Sequence, residues 1–293
     1  MFSTLNSPRL RFTSIFRRWL SRARRGLAMR RHWSLPLLAI VGAAAFNASA
    51  GSDSAPTNGL TSAGETTARA RKTFLAARAR HESEPSNTDA AWQFARACFD
   101  VADSATNNIE RAQIAGQGIA VCRELTARAP NSAPAHYYLA MNLGQLADTQ
   151  RNLAAFKIVK EMEREFLAAR DLEEKFDYAG PDRGLGLLYL QAPAVISIGS
   201  RGKARQHLQR AVELAPDYPE NRLNLLEASL KWSDRAGAQR ELKSLETLWP
   251  RAQKNFTGEV WAASWANWNA RLETARQKIA EPPKRLESPH EKS

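Results

Sequence analysis

The densest run of chemistry-bearing residues is YAGPDRGLGLLYLQAPAVISIGSRGKAR at 178–205, with five glycines and a Gly202-Lys203 pair. Glycine-rich backbone that opens a helix can cradle a phosphate in its N–H groups, with a lysine on the anion and a hydroxyl on a metal ion. That chemistry needs Gly, four residues, then Gly-Lys followed by Ser or Thr. Here Ser197 stands where the first glycine is required and Ala204 where the hydroxyl is required, so the spacing excludes a phosphate loop. Gly184-x-Gly186 has Tyr189 in place of the third glycine of a dinucleotide fingerprint, and no alternating strand precedes it.

Other constellations are equally spare. His32, His81, His136, His207 and His290 form no pair at metal-ligand spacing, and no nucleophile stands beside a base. Glu161, Glu163 and Glu165 alternate with Lys160 and Arg164 as a solvated helix face would. The expectation is a chain without catalytic residues, metal or cofactor. Cys98 and Cys122 leave two readings open. On a helix hairpin turning near 104–107, Cys98 faces about residue 114, which leaves Cys122 about 12 Å further along. A bridge needs Cα atoms within about 7 Å, so that geometry favours two buried thiols over a disulfide. Trp261, Trp265 and Trp268 recur at i, i+4 and i+7 on one helix face, either as the buried side of a cap or as an exposed stripe for a partner or a sugar polymer.

The elements that carry these residues begin after an address. Residues 1–50 hold Arg9, Arg11, Arg17, Arg18, Arg22, Arg24, Arg25, Arg30 and Arg31 and no acidic residue. Removing those nine from the 42 basic residues leaves 33 against 30 acidic, so the net charge of +12 does not describe a basic face that would hold nucleic acid. The apolar run LPLLAIVGAAAF at 35–46 is twelve residues long, short of a membrane span of about 20, and ends in Ala48-Ser49-Ala50 before Gly51. It reads as a signal peptide cleaved after Ala50, with Met29 a possible true start and a periplasmic or secreted destination. An uncleaved inner-membrane anchor and a mitochondrial presequence are the alternatives. Residues 51–67 read as a flexible linker, 68–280 as the folded domain and 281–293 as a disordered tail.

Within the domain the period is helical throughout. Ala91, Phe94, Ala95 and Cys98 repeat at three and four, as do Ala135, Tyr138, Leu139, Leu143 and Leu146. Prolines at 181, 216 and 250 fall 35 and 34 residues apart. Leu185-Gly186 with Tyr189, then Ala204, Leu208, Ala211 and Pro216, reproduce a two-helix unit in which small residues let the helices cross closely and proline stops the second. On those residues the chain resembles tetratricopeptide-repeat (TPR) proteins over about 68–250. The resemblance implies an all-α fold of helical hairpin repeats, an α-solenoid with a C-terminal capping helix. The run AHYYLAMNLGQLA at 135–147, Gly180-Pro181 and a second helix reaching about Phe176 are similar to the periplasmic T-component proteins associated with TRAP transporters.

Two functions follow from these resemblances. The first is an exported non-enzymatic scaffold holding a protein or peptide in a concave groove of first helices, which would expose Tyr137, Met141, Gln145, Arg183, Gln191, Glu227 and Lys231. The second is a small-ligand accessory component of an uptake system, with an apolar pocket near Tyr138, Leu187 and the 192–200 connector. That connector, inserted between the two helices of its unit, carries Val195, Ile196 and Ile198, which are expected to fold onto the core or line the pocket.

Overall fold

Five polar side chains start helices in this chain. Asn87 accepts from the Asp89 and Ala90 amides, Asn107 from Glu110, Ser132 from Ala135, Ser200 from Lys203 and Asp234 from Gly237. Each satisfies an amide that the first turn leaves without an intrahelical acceptor. Pro134 and Pro219 open two helices where a missing N–H costs nothing.

The computed structural model describes residues 58–150, 154–195 and 197–281, and among these every regular element is a helix. The expected signal segment and the tail beyond 281 lie outside the described residues. In chain order the helices are α1 (Asn58–Ser83), α2 (Thr88–Ser104), α3 (Asn108–Arg128), α4 (Ala133–Thr149) and α5 (Ala154–Leu172). They continue as α6 (Phe176–Gln191), α7 (Arg201–Leu214), α8 (Pro219–Lys231), α9 (Arg235–Asn255), a 3-10 turn (Glu259–Trp261) and α10 (Ala262–Ala280). Successive pairs form hairpins: α2 with α3, α4 with α5, α6 with α7, and α8 with α9. The first helices of neighbouring hairpins also touch, α1 packs on α2, and α10 closes the array on α8.

Three boundaries differ from the sequence expectation. Helix α1 begins at Asn58, inside the stretch expected as linker. Its Ala70, Phe74, Ala77 and His81 are half-buried at three- and four-residue spacing, and the Phe74 ring lies 5.5 Å from that of Phe94, so packing on α2 overrides the weak helix propensity of its Ser, Thr and Gly residues. Helix α5 stops at Leu172 rather than near Phe176. Pro250 does not end its helix: α9 runs through it to Asn255, held on the core by Leu245, Leu248 and Ala252.

Two cores lie along the array. One centres on Trp92, Tyr137, Tyr138, Phe166, Leu185 and Leu208, the other on Tyr218, Leu226, Leu248, Phe256, Trp261 and Trp268. Asp177, Tyr178 and Ala179, with φ of 58°, 54° and 59°, form a left-handed turn between the two. Phe176 packs edge-on to Tyr137 in the first core, and Tyr178 packs on Tyr218, Phe256 and Trp261 in the second. Left-handed residues with a Cβ cost about 1 kcal/mol or more each, so three in succession persist only where surrounding contacts over-determine them.

Candidate functional site

The face formed by the first helices is filled along α4 and α6. Tyr137, Met141 and Gln145 of α4 and Arg183 and Gln191 of α6 are all buried, whereas an open groove would have exposed them. The Tyr137 hydroxyl donates to Asp177 Oδ2 at 2.8 Å and its ring packs against Phe166 and Phe176. Arg183 donates to Asp177 Oδ2 at 3.0 Å, to the Asp177 and Tyr178 carbonyls at 3.1 and 3.0 Å, and to Asn221 Oδ1 at 3.2 Å. One buried guanidinium thus holds the carbonyls and the carboxylate of the left-handed turn. On α8, Glu227 accepts from Arg271 Nε of α10 at 2.9 Å, and Lys231 donates to the Leu190 carbonyl at 2.7 Å. The α4 and α6 part of the inner face is covered because the left-handed turn and α10 supply partners for it, neither of which a regular repeat contains, whereas Glu227 is half-buried and Lys231 stays exposed as expected.

The pocket expected near the connector is filled as well. Tyr138 and Leu187 belong to the first core. Ile198 packs against that core, while Val195 is 96% exposed at the connector tip. Four of the five glycines of 178–205, Gly180, Gly184, Gly186 and Gly199, sit where a Cβ would collide with a neighbour, whereas Gly202 is open. A Cβ at Gly186 would lie 2.7 Å from Leu208 Cγ, and one at Gly199 would run into the Ala192 carbonyl oxygen. Leu185, Ala204, Leu208 and Ala211 are fully buried around the Gly186 crossing, Tyr189 is nearly so, and Pro216 follows the end of α7. At that helix start Ser200 Oγ accepts from the Lys203 amide, and the Lys203 ammonium lies over the Tyr189 ring at 4.8 Å.

An open cleft of about 1150 Å³ lies instead on the second helices, between the end of α5 with its following turn (170–175) and α7. Asp182 and His207 line it, with His207 Nδ1 and Asp182 Oδ1 2.7 Å apart, and the Tyr189 ring stacks on the imidazole at 5.5 Å. The Tyr189 hydroxyl donates to Glu163 at 2.6 Å, and burial together with that bond pushes its pKa well up. Sequence reasoning missed this pairing because Asp182 and His207 sit 25 residues apart on different helices. The hairpin register set by Gly186 and Leu208 is the signal that could have found it.

The α5 carboxylates are likewise engaged rather than solvated. Glu165 is bonded to His136 Nδ1 at 2.7 Å and to Arg164, while the other ring nitrogen lies 2.9 Å from the Pro130 carbonyl. The hydrogen bond to Glu165 raises the His136 pKa; burial pushes Glu165 up, but His136 and Arg164 outweigh it and hold Glu165 below its ordinary value. Cys98 and Cys122 are free and buried, and burial pushes the Cys98 thiol up to about 12. Trp261 and Trp268 are buried and the Trp265 indole N–H donates to the Phe256 carbonyl, so the aromatic stripe is the inner side of the cap. No group of three or more His, Cys, Asp or Glu residues that could hold a metal occurs among the described residues.

Among solved structures, the chain is similar to the crystal structure of a thermophilic TPR protein of Thermus thermophilus. The TM-score is 0.52 at 17% identity, over 75% of this chain and 98% of that one. The fold is TPR-like. A family model described as regulator of microtubule dynamics protein 1-3 matches residues 60–177, from α1 into the first turn of α6, which is less than half of the chain. No curated protein matches. The TPR-like array here differs from a regular one in the left-handed turn at 177–179 and in the cap that α10 places on α8.

Proposed function

We propose that the protein is an exported, non-catalytic scaffold that binds a protein or peptide partner, and that the partner docks in the cleft between α5 and α7. The observation that carries this reading is the cleft itself. It is an open concave feature of a TPR-like array whose inner face is occupied along α4 and α6 by its own side chains, and TPR-like folds commonly hold partners. A volume of about 1150 Å³ exceeds the 300–1,000 Å³ of ordinary small-ligand sites and suits an extended peptide segment. The Asp182–His207 pair does not argue for catalysis, because His207 Nε2 makes no hydrogen bond to a nucleophile among the described residues. The small-ligand role that goes with a T-component draws no support from the matches, and the apolar pocket it needs is occupied by Tyr138 and Leu187. Export rests on the composition of residues 1–50, and the family description leaves the partner open.

A photo-crosslinking residue placed in turn at Gln206, Gln209 and Gln239 of the full chain in its native host tests the docking surface. The first two line the cleft and the third is exposed on α9. One discrete protein adduct shared by Gln206 and Gln209 and absent from Gln239 is expected. Adducts of equal yield at all three positions would remove the cleft from the reading. Intact-mass analysis from the same host tests export: a chain beginning at Gly51 is expected, and one retaining residues 30–50 would refute cleavage.

A further inference from the structure

The cleft has a neighbour on its own chain. Helix α10 ends at Ala280, and its last turn is fixed by Arg235 of α9, whose Nη2 donates to the Ile279 carbonyl. Asp234, the residue before Arg235, accepts from Arg205 Nη2 at 3.1 Å, and Arg205 lines the cleft. The chain beyond α10 therefore starts beside the end of the cleft marked by Gly202 and Arg205. Glu281 is already extended, with φ −58° and ψ 130°, and Pro282-Pro283 cannot continue the helix. Residues 282–293 in extended form reach about 37 Å at ~3.1 Å each, twice the ~17 Å that α7 measures from Gly202 to Glu213.

The walls of the cleft suit an occupant of mixed charge. Arg210 of α7 is bonded to Glu174 on the opposite wall at 2.9 Å and to Glu213 at 3.3 Å, and Arg170 is paired with Asp171. A segment of one sign would meet like charges as often as opposite ones. Leu172, 41% exposed, is the one large apolar side chain among the lining residues. The run KRLESPHEK at 284–292 has the same make-up, with cations and carboxylates interspersed and Leu286 as its single aliphatic side chain. The spacing agrees as well. With Lys284 and Arg285 beside Asp234 and Arg205, Glu287 falls about 6–9 Å further on, against the ~7.5 Å from Arg205 to Arg210 along α7. Leu286 then comes level with Leu172, two residues from the Glu174 that Arg210 holds.

Resting on the partner reading above, we propose that residues 284–292 of the chain itself occupy the cleft when no partner is bound, so that a partner must displace them. Glu287 takes Arg210 over from Glu174, an exchange between exposed ion pairs that contribute little by themselves, and Leu286 covers Leu172. Tethering decides the balance. A segment joined to its site by a short linker faces it at an effective concentration on the order of millimolar, so weak complementarity is enough to fill the cleft. A partner then binds only the fraction of molecules whose cleft is open.

The test places the photo-crosslinking residue at Gln206, Gln209 or Gln239 of the purified full chain, irradiates it with no partner present and maps the products by mass spectrometry. Gln239 is exposed on α9 one turn beyond Arg235, so it reports nearness to the tether alone. Crosslinks to residues 284–292 are expected from Gln206 and Gln209 at about five times the yield from Gln239 or more, independent of protein concentration. The paired change Leu286→Asp with Glu287→Lys should bring them down to the Gln239 level. In the native host the same change should raise the partner adduct at Gln206 about two- to threefold. Equal yields at the three positions, or yields that fall on dilution, would overturn the inference, and a partner adduct unaffected by the paired change would overturn the competition. Host adducts at Gln206 without crosslinks to 284–292 would remove the tail and leave the partner reading standing. Crosslinks to 284–292 with no host adduct, in wild type or variant, would keep the tail in the cleft and remove the partner reading.

Discussion

Tyr178 lies face to face on Tyr218, with ring centroids 4.5 Å apart and planes 12° from parallel. The contact spans two hairpins and exists because the backbone of Tyr178 is left-handed, with φ 54° and ψ 50°, which turns its ring away from the Tyr137 core and into the Trp261–Trp268 core. Tyr178→Ala should therefore cost about 2–4 kcal/mol, somewhat below the usual range for a fully buried aromatic because the ring is partly exposed. The residue beside it should behave in the opposite way. Ala179→Gly relieves a positive φ and should be neutral or stabilising within about 1 kcal/mol, whereas Ala204→Gly at the end of the first turn of α7, where φ is helical, should cost about 1 kcal/mol. Urea midpoints of the three variants check this, and an equal loss for the two glycine changes would mean that the turn is not strained.

Arg183 is the group that holds that turn. Arg183→Met removes the fork from two carbonyls and leaves the Asp177 carboxylate without its buried cation. A loss of about 3–5 kcal/mol is expected by the cost of breaking a buried ion pair. The double change Arg183→Met with Asp177→Asn should recover part of it. A double variant no more stable than the single one would show that the charge is not the issue.

At the α6–α7 crossing, Gly186→Leu drives a side chain into Leu208, whose Cγ would lie 2.7 Å from the new Cβ. Overpacking of this kind costs about 1–3 kcal/mol and, with the Leu208 backbone nitrogen only 3.1 Å away, the upper part of that range is expected. Lys243→Ala on the exposed face of α9 should stay within about 0.5 kcal/mol. Coincident denaturation curves for the two would refute the crossing.

The His136–Glu165 pair gives the fold a pH dependence with a definite sign. His136 is raised by its bond to Glu165, so its contribution is complete below its ordinary value of about 6.5 and disappears as pH rises through the higher folded value. Glu165 is lowered, so its contribution is complete above about 4.3 and disappears as pH falls through the lower folded value. The pair is thus worth most between those two values. His136→Gln should cost about 1–2 kcal/mol at pH 6 and markedly less at pH 9. A pH-independent difference in urea midpoint would contradict the ion pair.

Nucleotide should not bind at Gly202-Lys203. The Lys203 amide is taken by Ser200 and its ammonium lies over Tyr189 and 3.7 Å from Glu163, leaving no converging donors for a phosphate. Calorimetric titration with ATP and GTP plus magnesium should show no saturable heat. Micromolar binding that disappears in Lys203→Ala would reverse the conclusion.

The helical period, the small residues at 186 and 204 and the proline after α7 were legible in sequence because they act within one hairpin, where spacing along the chain maps directly onto distance in space. Those local rules determined an all-α repeat array and its Gly186 register. They could not show that the groove is filled, because its contents come from elsewhere. Arg271 reaches Glu227 from 44 residues away, Tyr137 meets Asp177 across 40, and Asp182 meets His207 across 25. A three-residue left-handed turn of Asp, Tyr and Ala carries no glycine to announce it, since contacts rather than local preference hold it. The sequence therefore determined the helices and their pairing. Which faces remained open to a partner was decided by long-range burial alone, because the cost of an unpaired polar group depends on what the whole fold brings within hydrogen-bond reach of it.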